Sequence, residues 1–138
     1  MSEIDVNVPR WRVLPAWRMT TARVLLGVAA AGAFTSFVLQ VGPTMDAGPA
    51  TQAVEAWRTV GLAAFAGFFA LLAWRPLAYP GVFEIAIASK AALAVLGLTA
   101  LPSADHASEF VDFDGILAVV LVAAYLLVDG WTAWRSAR

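Results

Sequence analysis

Residues Gly81 to Leu101 read GVFEIAIASKAALAVLGLTAL, an apolar run as long as a bilayer-crossing helix and interrupted by two ionisable side chains, Glu84 and Lys90. About 20 apolar residues in helical form cover a hydrocarbon layer of about 30 Å. The run therefore predicts an all-α protein built for a membrane. A charge inside such a run is costly in contact with lipid, so Glu84 and Lys90 are expected to face the interior of a helix bundle and to find partners there.

The composition agrees with this class. Hydrophobic residues make up 61% of the 138 residues and charged ones 14%, against about half and about a quarter in soluble domains, and the mean hydropathy is +0.75. The length suits one domain of several spans, leaving no extramembrane domain of useful size. The absence of cysteine excludes disulfides, thiolate catalysis, dithiol redox chemistry and thiolate metal sites. A net charge of −1 with no clustered basic face excludes nucleic acid as a partner.

Working outward from the opening stretch, Tyr79-Pro80-Gly81 precedes it and Arg75-Pro76 ends the span before it, about Thr59 to Trp74. So short a connection predicts a tight antiparallel hairpin of the second and third spans, with Trp74 and Tyr79 at one interface. An amphipathic lead-in, TQAVEAW from Thr51, carries Glu55 and Arg58 three residues apart, a spacing that allows them to pair. Gly42 to Pro49 has the composition of a loop. Before it lies a first span of about Ala22 to Val41, with Thr20 and Thr21 as candidate caps and Gly42-Pro43 as its stop. Gly27, Ala31 and Thr35 recur every fourth residue, as do Gly32 and Ser36, which permits close approach of another helix. On the other side of the opening stretch, the polar PSADHASEFVDFD leads to a fourth span of about Gly115 to Trp134 with Asp129 inside it.

Residues 1–20 mix prolines, arginines and Trp11 and Trp17, as expected of a cytoplasmic arm lying at the headgroups, with residues 21–138 forming the four-helix transmembrane domain. The apolar run that follows is too long for a signal-peptide core and lacks a small-residue cleavage site, so the arm is expected to be retained. Arg10, Arg12, Arg18, Arg23, Arg75, Arg135 and Arg138 fall on one side of the four spans, whereas the other side holds Arg58 and most of the acids. The positive-inside rule then places both termini in the cytoplasm (N-in/C-in), in a plasma membrane, and the preponderance of alanine and arginine points to a bacterial source.

Several residues are candidates for chemistry. Lys90 lies roughly 13 Å along its span, near the bilayer midplane, where burial would make it a usable base or nucleophile. Tyr125, Thr35 and Ser36 fall at similar depth and are the expected hydrogen-bond partners and substrate-binding residues. Glu84 lies about 9 Å and some 120° away from Lys90 on the same helix, so the two face different neighbours. It shares the depth of Asp129, near Arg23 and Arg75, where a carboxylate cluster would serve either as an interfacial lock or as an acid–base site; in an enzyme Glu84 or Asp129 would donate the proton and Lys90 would act as base or charge stabiliser, which makes Lys90, Glu84 and Asp129 the candidate catalytic residues. Asp112 and Asp114, with His106 and Glu109 nearby, show no recognised ligand spacing and are expected to form a capping turn, with no metal and no cofactor.

The four-span plan, the Ala22 to Gly27 stretch ARVLLG and the short second-to-third connection resemble the DoxX-like group of small bacterial membrane proteins. That resemblance implies an accessory subunit of a quinone-linked oxidoreductase and carries over no functional residue. The leading expectation is a small membrane accessory or interaction protein serving a lipid-soluble redox system, with the lipid bilayer and a larger membrane partner or a homo-oligomer as its partners. Two others stay open: an intramembrane isomerase or cyclase acting on a lipophilic substrate, and an oligomeric proton-coupled transporter.

Overall fold

The computed structural model describes residues 14–100, 108 and 110–136, and among them there is no β-strand. Helix α1 covers Ala16–Asp46, α2 covers Gln52–Trp74 and α3 covers Val82–Thr99. A π-helical turn, Phe110–Asp114, runs straight into α4, Gly115–Leu127; a 3-10 turn, Gly130–Thr132, and a last short helix α5, Ala133–Ser136, complete the described chain. Trp11, His106 and Glu109, and most of the expected N-terminal arm, lie outside the described residues.

Helix α1 is longer at both ends than the stretch 22–41. Pro15 starts it, because proline is tolerated where the first helical N–H groups have no partner, and the Arg18 amide bonds back to the Pro15 carbonyl at 3.0 Å. Thr20 and Thr21 consequently lie inside the helix instead of capping it. Gly42-Pro43 does not stop it either. The ring removes the donor to the Leu39 carbonyl, and the turn that follows is held by other bonds: the Thr44 hydroxyl donates to the Gln40 carbonyl at 2.8 Å and shares a 2.6 Å hydrogen bond with the Thr59 hydroxyl on α2. Gln40 also donates to Glu55 at 2.7 Å. Glu55 is thus tied across to α1, and the lead-in from Gln52 is continuous with α2.

Helix α2 ends as the prolines dictate, with the Arg75 amide making the last bond, 2.9 Å to Leu71. Gly81 takes φ +90°, a left-handed conformation open to glycine at little cost, and from it the chain turns into α3. At the far end, α4 stops at Val128. Asp129 adopts φ +51° and the amide of Thr132 bonds to its carbonyl at 2.8 Å, which folds the last turns back against the bundle.

Each helix buries one stripe. On α1 it is Ala22, Leu26, Ala29 and Ala33; on α2, Ala66, Phe69 and Leu72; on α3, Phe83, Ala86, Lys90 and Gly97; on α4, Leu121 and Ala124, continued by Val128. These spacings of three and four are those of a helical face. Helix α1 is the centre of the packing: it lies along α2 on one side and α4 on the other, and α3 packs on α4 and its π turn. The spatial order is therefore α2, α1, α4, α3. Direct contact between α2 and α3 is slight, although the short connection predicted them as close partners. The tight turn brings their ends together, and the small buried residues of α1 then draw α2 away along its length.

Three helices, α1 to α3, are long and apolar enough to cross a membrane by length and composition. Their most apolar windows are only 17% to 22% buried, so the apolar side chains on their outer faces, such as Val28, Leu39, Val60 and Ile85, are exposed in the isolated chain.

Candidate functional site

The ionisable residues singled out in the sequence occupy three separate polar nodes. The innermost joins Lys90 to Asp114, Nζ to Oδ1 at 2.7 Å, with both residues buried. The Lys90 ammonium also stands over the ring of Phe65 on α2, 4.0 Å from its centroid, a favourable placement because the face of the ring is electronegative. One cation thus holds α3, the π turn and α2 together on the side of the bundle where helix–helix contact is thin.

Lys90 was expected to bond to hydroxyl groups, and the observed partner is a carboxylate. The described part of the fourth helical segment already runs as a π turn from Phe110, five residues before Gly115, and this carries Asp114 from an expected capping turn into the interior. Asp112 and Phe113 in the same turn remain exposed. Where the surroundings are apolar, an ionised acceptor satisfies an ammonium far better than a neutral hydroxyl. Thr35 and Ser36 lie on the exposed face of α1. Tyr125 belongs to the second node.

That second node is centred on Glu84. Its Oε1 accepts hydrogen bonds from the Tyr125 hydroxyl and from the indole N–H of Trp134, each at 2.9 Å. Edge-on contacts of the Tyr125 ring with Phe83 and Trp131 fix its position, with centroids 5.4 and 6.2 Å apart. The turn through Asp129 and Gly130 is what returns Trp134 to this site.

In the third node, Arg18 on α1 donates through one nitrogen to Asp129 Oδ1 at 2.9 Å and to the Leu126 carbonyl at 2.8 Å. The guanidinium therefore pairs with a carboxylate and satisfies a carbonyl at the C-terminal end of α4, where cations are favoured. Glu84 and Asp129 lie at the same end of the bundle, but no hydrogen bond joins them, and the cation paired with Asp129 is Arg18, where Arg23 or Arg75 was expected.

Asp114, Phe65, Arg18 and Trp134 are the contributors that sequence reasoning did not assign to these nodes. Only Arg18 had a usable signal, its place in the positive cluster at the start of the first span. Among the described residues no buried side-chain nitrogen or oxygen lacks a hydrogen-bond partner, and no group of three or more potential ligands is placed to hold a metal ion.

Separate from these nodes, an open apolar groove of about 460 Å³ runs between α1 and α2, with Ala31, Phe34, Phe37 and Gly67 among its lining residues. It coincides in part with the small-residue face of α1: nothing lies within 4 Å of where a side chain would begin at Gly27 or Gly32. That face is therefore unfilled within the chain. No family model, curated protein or solved structure matches this sequence.

Proposed function

We propose that this chain is a multi-pass plasma-membrane protein that acts as an accessory or interaction subunit, with its charged residues holding the bundle together and its α1–α2 face meeting a partner within the bilayer. In this reading the π turn and α4 form a fourth span, and both termini lie on the cytoplasmic side, in line with the distribution of arginine. Its partner belongs to a lipid-soluble redox system, as the resemblance in sequence implies. The observation that carries the reading is the buried Lys90–Asp114 pair. An amine that acts as base or nucleophile needs a free lone pair and a path to substrate. Lys90 instead has its ammonium on a carboxylate at 2.7 Å with an aromatic ring at its other side, inside a packed core.

The outer face supports the interaction half of the reading. Lipid gives helices no hydrophobic reason to associate, so contacts in a bilayer depend on small residues that allow close approach. Gly27, Ala31 and Gly67 provide such a surface, open to the outside of the bundle. A photo-crosslinking residue at Ala31 should give a discrete protein adduct in native membranes, and one at the buried Ala86 should give none. Lipid adducts alone from Ala31, or turnover of a lipophilic substrate that is lost in Lys90→Met protein of normal fold, would overturn the proposal.

A further inference from the structure

We propose that the end of the molecule formed by the α2–α3 connection and the C-terminal turns binds the phosphate of anionic phospholipid headgroups, with Arg75 as its main anchor and Arg23 and Arg135 beside it. The inference rests on the membrane reading above and adds a ligand to it. Among the described residues, the two acids near this end are already engaged: Glu84 accepts from Tyr125 and Trp134, and Asp129 is paired with Arg18. Arg23, Arg75 and Arg135 are exposed, and among the described residues none has a carboxylate within ion-pair distance. Among the described residues, the internal polar nodes thus take up the negative charge at this end and leave three guanidiniums outward.

The setting of Arg75 selects the ligand. Its guanidinium lies over the exposed ring of Trp74, 5.1 Å from the centroid. An indole favours the boundary between hydrocarbon and headgroup, and a guanidinium stacked on it presents N–H groups in a planar fork that matches two phosphate oxygens. Arg135 belongs to the same surface, because the ring of its neighbour Trp134 packs against Gly81 and its indole N–H reaches Glu84. Exposed Trp17 and Trp131 continue the aromatic rim around this end. Arg23 lies one to two turns further along α1 than Arg18, a position from which a long side chain extends back to the headgroups. A free phosphate offers the same oxygens but gains nothing from the rim, so the proposed source is the lipid.

The test is thermal unfolding of the purified protein in a neutral detergent with added phosphatidylglycerol, phosphatidylcholine or inorganic phosphate. Phosphatidylglycerol should raise Tm above the phosphatidylcholine value, and salt should shrink the difference. Replacing all three arginines by Gln should remove at least half of that difference without moving the phosphatidylcholine Tm. Should that triple variant not fold, Arg75→Gln set against Arg75→Lys decides the same point, the glutamine variant losing more of the lipid preference than the lysine one. Equal Tm values in the two lipids, a preference unchanged in the variants, or an equal rise with inorganic phosphate would overturn the inference. Orientation is read separately by labelling from either side of sealed vesicles. A lipid preference that depends on these arginines, found at an outward-facing end, would keep the site and overturn the cytoplasmic placement.

Discussion

Lys90 and Asp114 are each too polar for their surroundings and are stable there only as a pair. Removing one leaves the other charged, buried and unmatched, which costs about 3–5 kcal/mol, whereas replacing both with apolar groups of similar volume is often neutral or stabilising. Lys90→Met and Asp114→Leu should therefore each lower the unfolding midpoint strongly, and the double variant should recover most of the loss, measured by thermal unfolding in detergent. Additive losses in the double variant would show that the pair is not the unit of stability. The existence of a buried lysine was legible from its place in an apolar run, but its partner was not. Asp114 sits four residues after Phe110, in a polar stretch whose sequence looks like a cap, and the extra residue per turn that rotates it inward leaves no trace in hydropathy or periodicity.

At the scale of elements, the clearest departures from expectation are at helix ends, where single hydrogen bonds decide the outcome. Helix α1 passes through Pro43 because Thr44, Thr59 and Glu55 hold its last turns to α2, a contact between segments that local sequence does not disclose. The end of α4 shows the reverse. A span expected to continue to Trp134 breaks at Asp129, and Gly130 makes the break possible: a side chain there would overlap the ring of Tyr125. Tyr125 cannot swing away freely, since Phe83 and Trp131 flank it and its hydroxyl is bonded to Glu84. Gly130→Ala should cost about 1–3 kcal/mol through overpacking. It should also alter tryptophan fluorescence by displacing Trp131 and Trp134, and an unchanged spectrum with an unchanged midpoint would contradict this account of the turn.

The described residues are all-helical, as expected, and three of the helices are long and apolar enough to cross a membrane, because apolar stretches of span length are easily read. Their spatial order was not readable from connection lengths. A short connection brings two helix ends together, but the faces along the helices choose the partner, and the alanines of α1 accept α2 and α4 on adjoining sides. The proposed topology has a direct test, made simple by the absence of native cysteine. Single cysteines at Ala50, between α1 and α2, and at Ala78, between α2 and α3, should react with a membrane-impermeant thiol reagent from opposite sides. Ala78→Cys should be reached from the cytoplasm, and labelling of both from the same side would exclude the alternating arrangement.

The position of Phe65 has a further consequence for the way the chain is made. Synthesis proceeds from the N-terminus, so α3 with its Lys90 ammonium emerges before the segment that contains Asp114, 24 residues further on. During that interval the carboxylate that pairs with Lys90 in the finished fold is not yet made. Phe65, on the helix made just before, is already present, and in the finished fold the centroid of its ring lies 4.0 Å from the ammonium. Of the two contacts that the ammonium makes in the finished bundle, the aromatic one is thus the first that synthesis makes available.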